Sequence, residues 1–205
     1  MVARQRTVAG KRRSHVFYQT RLERPQLACA EGVYLWDIDG KRYLDGSSGA
    51  MVSNIGHSNR RVLDAMREQM DKATFGYRLH FENDAAEKLA RRVAELCPSP
   101  LDQVFFVSGG SEAVESCVKM ARQYAIARGE TERLQVISRY PSYHGATLGA
   151  LALTGYDPLN EPFTPMLREM PKIPAPTCYL DNDDLSDHER GLRYADMLAT
   201  KIGEL

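Results

Sequence analysis

Residues 108–115, Ser108-Gly109-Gly110-Ser111-Glu112-Ala113-Val114-Glu115, and residues 142–147, Ser142-Tyr143-His144-Gly145-Ala146-Thr147, decide how this chain is read. The first stretch follows the apolar run Gln103-Val104-Phe105-Phe106-Val107 and opens a helical pattern. That order is a strand, a tight glycine turn and a helix start. Glycine lets backbone approach a ligand closely, and the unpaired N–H groups of a first helical turn point outward. A phosphate suits such a turn because the helix dipole and those donors both favour an anion. Glu112 and Glu115 suit the dipole but oppose an anion unless they point away. The second stretch follows another β-rich run, Leu134-Gln135-Val136-Ile137-Ser138. It puts the ring of Tyr143 at a strand end, beside His144 and Gly145. Ligands of open α/β sheets sit at the carboxyl ends of the strands, so both motifs share one rim. Together they point to a flat, phosphorylated aromatic cofactor with Tyr143 stacked on its ring. Taken singly, each motif also reads as ordinary structure: a Gly-Ser turn with a serine cap, a core tyrosine, a packed histidine.

Working outward, residues 33–44 read as a β-hairpin, because Asp39-Gly40 supplies a turn with positive φ between alternating apolar residues. Ser58 is placed as the cap of a helix with Val62, Met66 and Met70 on one face. Asn83 is placed as the cap of a second helix, which Pro98 and Pro100 end. A third runs over about 112–128, with Ala113, Cys117, Val118, Ala121, Tyr124 and Ala125 as its buried stripe and Gly129 as its stop. Strand 103–107, this helix and strand 134–138 then make a βαβ unit, hence a parallel pair. Six of the ten prolines lie between Pro158 and Pro176, so residues 156–184 are expected to hold neither helix nor regular strand. A last amphipathic helix carries Leu192, Ala195, Leu198, Ala199 and Ile202 to the end of the chain.

Composition narrows the function classes. The formal net charge is zero, which gives no case for nucleic acid or membrane as partner. No apolar run approaches the length that spans a bilayer. The four cysteines, Cys29, Cys97, Cys117 and Cys178, are far apart and form no metal-type pairs; they predict free thiols and a cytoplasmic setting. No Ser-His-Asp or metal-ligand spacing supports a hydrolase or a metalloenzyme. Residues 1–22 carry Arg4, Arg6, Lys11, Arg12, Arg13 and Arg21 with no acidic residue and no apolar core. They read as a basic arm rather than a secretory signal.

Several of these motifs occur in a fixed order: Gly32-Val33-Tyr34-Leu35-Trp36-Asp37, Tyr43-Leu44-Asp45-Gly46, Ser48-Gly49, Asn54-Ile55-Gly56-His57, residues 108–122 and Tyr143-His144-Gly145. In that order and spacing the chain resembles the N-terminal part of the class III pyridoxal-phosphate-dependent aminotransferases, the group that includes the omega-aminotransferases. The resemblance runs over about residues 15–205. It implies an α/β chain of fold type I, with a basic arm over 1–20, an N-terminal segment of the small domain over 21–74 and the first part of the cofactor-binding large domain over 75–205. It implies pyridoxal 5′-phosphate as cofactor, its phosphate held by Gly109, Gly110 and Ser111, and its ring met by Tyr143 with His144 beside it and Gly145 allowing close approach. Ala50 and Met51 would border the substrate. The stretch 75–81 would reach the active site of a partner subunit in a homodimer, where Tyr77 and Arg78 are candidates to meet a substrate carboxylate.

The implied reaction moves an amino group from an amine or amino acid to a keto acid or aldehyde. An aminomutase, racemase or decarboxylase on the same scaffold shares these motifs, and a non-catalytic cofactor-binding or dimerising relic is the rival from another class. In the family, a lysine that forms a Schiff base with the cofactor and an aspartate that pairs with its ring nitrogen lie in the later half. None of the seven lysines here, Lys11, Lys41, Lys72, Lys88, Lys119, Lys172 and Lys201, stands in a matching context. No catalytic residue is therefore assigned, and the chain is expected to be an N-terminal portion, inactive by itself and unstable without further strands on its sheet.

Overall fold

The computed structural model describes residues 15–18 and 22–205. Most of the basic arm, residues 1–14 and 19–21, lies outside the described residues. The chain divides into two compact units, Met1–Glu87 and Lys88–Leu205.

The first unit is built on a three-stranded antiparallel sheet of β1 (Leu27–Glu31), β2 (Tyr34–Asp37) and β3 (Arg42–Leu44). The hairpin forms as the sequence requires, with Leu35 opposite Tyr43 and Gly40 at φ 78°. Asp37 holds its turn closed: it accepts from the backbone N–H of Asp39 (3.0 Å) and Lys41 (2.9 Å) and from the Tyr43 hydroxyl (2.7 Å). The Tyr43 bond above all keeps the Asp37 carboxyl below the usual range. A short kinked turn, α1 (Ser48–Met51), follows. Ser48 and Met51 sit at φ 51° and 62°, a left-handed conformation that non-glycine residues adopt only when their surroundings hold them. Asp45 does part of that holding: its Oδ2 meets His57 Nε2 at 2.8 Å and its Oδ1 accepts from Gly49 N at 3.4 Å.

α2 (Arg60–Lys72) is capped by Asn59, whose Oδ1 accepts from Val62 N, and not by Ser58 as the sequence led us to expect. The Ser58 hydroxyl is engaged elsewhere, donating to Ala30 O on β1 at 2.7 Å. Asn83 does cap α3 (Asp84–Ala94), accepting from Ala86 N.

The second unit centres on α4 (Gly110–Ala127) and the short helix α5 (Leu148–Leu153). The sequence of α5, Leu-Gly-Ala-Leu-Ala-Leu, is apolar all round, which suits burial: its last four residues, Ala150, Leu151, Ala152 and Leu153, are the heart of the core, Thr154 beside them is fully covered, and Leu148 at its start stays exposed. Of the stripe expected on α4, only Ala125 is buried. Cys117, Ala121 and Tyr124 are exposed.

The expected parallel pair is also different. Residues 103–107 form no strand, and Phe105, Phe106 and Val107 are exposed. β4 starts only at Ser138 (Ser138–Tyr140), and its parallel partner is β5 (Lys172–Pro174), from the proline-rich segment. The same segment holds α6 (Asp157–Asn160) and two 3₁₀ turns, Glu161–Met166 and Cys178–Leu180. Prolines do not prevent β5, because the bonds that flank it use their carbonyls or other residues' amides: Ser138 N donates to Pro171 O (3.0 Å) and Ala175 N to Tyr140 O (2.8 Å). Lys172 fixes β5 to the core. Its ammonium donates to Ala152 O (2.9 Å), Leu153 O (3.3 Å) and Ser138 Oγ (3.2 Å), completing the C-terminal end of α5. Burial lowers its pKa.

α7 (Asp187–Glu204) begins with a capping box in which Ser186 and Glu189 satisfy each other's backbone N–H groups. Arg190 and Arg193 reach back to Asp183 (2.8 and 2.7 Å), and Arg193 also meets Asp181 at 2.7 Å. The hydrogen bonds from Arg193 and then Arg190 lower the Asp183 carboxyl to about 2. An unfolded aspartate titrates at about 4. Asp183 therefore contributes stability that is fully present above that value and fades as the pH falls from there toward 2. The stability gap between the native chain and Asp183→Asn, followed by urea unfolding, is expected to be constant from neutral pH down to about 5 and to close below it. A gap that did not change with acid would contradict this origin.

Candidate functional site

The structure brings Gly109, Gly110 and Ser111 together with Tyr143, His144 and Gly145. Gly109 is the N-cap of α4 and carries no capping side chain, so the first N–H groups of an 18-residue helix keep their outward direction. Ser111, in that first turn, crosses to the second motif: its Oγ accepts from Ala146 N at 3.1 Å. The hydroxyl proton of Ser111 stays available to a ligand, since here the oxygen is the acceptor.

Gly145 makes the approach feasible. Its φ is 134°, and a Cβ at this position would stand 2.7 Å from Ser111 Oγ, 2.8 Å from Ala150 Cβ and 3.0 Å from Ser111 Cα. The two turns touch through a space that no side chain can occupy. The far side of the 143–145 turn is fixed by Thr154, whose hydroxyl donates to Gly145 O (3.1 Å) and accepts from His144 N (2.9 Å). The bridge between Ser142 and Gly155 adds N–H···O bonds of 2.9 and 3.0 Å. Held this way, Tyr143 remains 66% exposed, which leaves its ring open to stacking. His144 Nε2 is buried without a partner among the described residues.

The two glutamates part company. Glu115 turns away to α5, accepting from Thr147 Oγ1 (2.7 Å) and Ala150 N (3.2 Å). Glu112 lies over the glycine turn, with Oε2 at 2.8 Å from where a Cβ on Gly109 would stand. An anion at this turn requires the exposed Glu112 side chain to swing outward. The arrangement fits a phosphorylated aromatic group on three counts: a helix N-terminus backed by a serine hydroxyl, an open aromatic face, and a glycine that removes the barrier between them.

Ala50, Met51, Tyr77 and Arg78 belong to the first unit. Ala50 and Met51 lie in the kinked turn α1, where Met51 is largely exposed. The Tyr77 ring meets His80 edge-on at 5.1 Å, and the Tyr77 carbonyl accepts from His80 N and Phe81 N. Arg78 follows on the same exposed turn. Lys172 is committed to the carbonyls at the end of α5. It stands at the N-terminal end of the β4–β5 pair, opposite the end that leads to Tyr143. Thr154 and Glu115 were not singled out from sequence as supports of the site, because their partners are distant in the chain.

Among the described residues no group of acidic, histidine or cysteine side chains could hold a metal ion, and none of the helices is long and apolar enough to cross a membrane.

The family model described as Aminotransferase class-III matches residues 19–204. The uncharacterized aminotransferase YodT of Bacillus subtilis is 42% identical over 163 residues, which are 80% of this chain and 37% of that protein. An (S)-enantioselective omega-transaminase from Thermomicrobium roseum superposes with a TM-score of 0.84 at 36% identity, over 93% of this chain and 44% of that one. An omega transaminase from Pseudomonas jessenii, solved in complex with PMP, gives 0.84 at 28% identity, over 92% and 44%. The chain thus spans less than half the length of the proteins it matches. It belongs to the class-III aminotransferases, a pyridoxal-phosphate-dependent family of fold type I.

Proposed function

We propose that this chain supplies the phosphate-binding and ring-stacking framework of a transaminase. The observation that carries the reading is the contact of the Gly109–Ser111 turn with the Tyr143–Gly145 turn. The contact is fixed by the Ser111–Ala146 bond and by the absence of a side chain at Gly145. The first N–H groups of α4 and the Ser111 hydroxyl bind the phosphate of pyridoxal 5′-phosphate. Tyr143 orients the ring by stacking on its face and shields that face from water. When bound, the cofactor supplies an electron sink for the carbanion left when a substrate loses a proton. The amino group passes from an amine or amino acid to a keto acid or aldehyde. In the first unit Ala50 and Met51 shape the substrate's surroundings, and Tyr77 and Arg78 take part from a homodimeric partner, with Arg78 suited to a carboxylate by its planar fork. A cytoplasmic setting agrees with the four free cysteines.

The test is binding of pyridoxamine phosphate, which has no aldehyde and so cannot attach to any lysine. Tyr143→Ala is expected to weaken it about threefold to tenfold, as the loss of one aromatic stacking contact does, while Tyr143→Phe keeps the native affinity. Equal binding by both variants would remove Tyr143 from the site.

A further inference from the structure

Glu115 has no task in the reading above, yet its polar contacts reach residues 32 and 35 positions further along the chain. Thr147, the N-cap of α5, gives its own helix no side-chain cap. The first N–H groups of that helix need acceptors from elsewhere. Glu115 provides one from the second turn of α4: Oε1 takes the Thr147 hydroxyl at 2.7 Å and Ala150 N at 3.2 Å. A carboxylate at a helix N-terminus is also favoured by the backbone dipoles. The sequence makes room for it. A Cβ on Gly149 would collide with Glu115 Oε2 and stand 2.6 Å from Oε1 and 2.8 Å from Cδ. Ser111 stands one turn before Glu115 on the same face of α4, where its Oγ takes Ala146 N. The two side chains are therefore two rungs between α4 and residues 146–150, the segment that leads directly out of the Tyr143 turn.

We propose that Glu115 is a positioning residue, which caps α5 from α4 and thereby fixes the Tyr143–Gly145 turn against the Gly109–Ser111 turn. Its effect on the cofactor rests on the functional reading above; its effect on the two turns does not. Ser111 alone ties this segment to α4 through one hydrogen bond. With Glu115 the segment is held to α4 at two points, and the distance from phosphate turn to ring face is set before any ligand arrives.

Two substitutions break the contact from opposite sides. Glu115→Ala removes the carboxylate. Gly149→Ala keeps it but puts a methyl group where it lies. Each is expected to speed hydrogen exchange of the Ala150 amide about tenfold, the effect of losing a helix cap. Each should also weaken pyridoxamine phosphate binding by a similar factor. In the double variant the three atoms nearest that methyl are gone, so Gly149→Ala should add little to Glu115→Ala. Glu115→Gln, which keeps an acceptor oxygen, should hold most of the native behaviour. Thr147→Val, which removes one donor only, gives a milder loss and serves if Glu115→Ala does not fold. Unchanged Ala150 exchange in Glu115→Ala, or additive effects in the double variant, would overturn the proposal. Failure of the native chain to bind pyridoxamine phosphate would count against the cofactor reading alone, and the exchange of Ala150 would still decide whether Glu115 laces the two turns.

Discussion

Gly145→Ala is expected to cost the second unit about 3 kcal/mol or more, the combined effect of a strained backbone and an overfilled contact. Two causes act together. At φ 134° a non-glycine residue is strained wherever it stands. The added methyl would also lie within 3.0 Å of Ser111 Oγ, Ser111 Cα and Ala150 Cβ. One of these is backbone of α4 and another is the fully buried Ala150 of α5, so neither can move without shifting a helix. The midpoint of urea unfolding should fall sharply, and pyridoxamine phosphate binding should be lost with it, because the turns can no longer meet. Gly191→Ala in α7 is the natural comparison. That glycine has nothing within 4 Å of an added Cβ, and the change should stabilise by up to about 1 kcal/mol through helix propensity alone. If both variants unfolded at the native midpoint, the close contact at Gly145 would be wrong.

Leu151→Ala is expected to be comparably severe, at about 2–5 kcal/mol. Leu151 is only 2% exposed and lies in the buried run 150–153 of α5. Leu192→Ala, on the exposed face of α7, should cost far less. Thermal unfolding of the two variants checks the contrast, and equal losses would mean that the core is not centred on α5. Because α5 directly follows the Tyr143 turn and is capped by Glu115 and Lys172 at its two ends, damage there should reach the candidate site as well.

The parts of the structure that were legible in the sequence are those decided by local physics. Asp39-Gly40 can hardly do anything but turn, Asn83 caps by a bond to an amide three residues on, and α4 and α7 carry a helical period over five turns. The close approach at Gly145 came from the family resemblance, and a Cβ there would indeed meet Ser111 and Ala150 within 3.0 Å. What was missed depends on partners far along the chain. Residues 103–107 have the composition of a strand, but a parallel strand exists only with a neighbour, and β4 takes β5 instead. β5 was hidden by Pro171 and Pro174, whose carbonyls serve a ladder as well as any other. Ser58 looked like a cap, yet its hydroxyl goes to Ala30 on β1 and Asn59 does the capping. At the site, Glu115 read as a possible obstacle to an anion. Only the fold shows that it points away to residues 147 and 150, more than thirty positions on.

The most direct measurement is a calorimetric titration of the chain with pyridoxamine phosphate and, separately, with unphosphorylated pyridoxamine. The account predicts saturable one-to-one binding of the phosphorylated form, at least about tenfold tighter than the other, since charge-assisted bonds to a phosphate are worth about 1.5–3 kcal/mol each. The preference should be reduced in Ser111→Ala. Equal affinity for the two compounds, or no binding of either, would contradict the claim that the start of α4 and the Tyr143 turn together form a cofactor site.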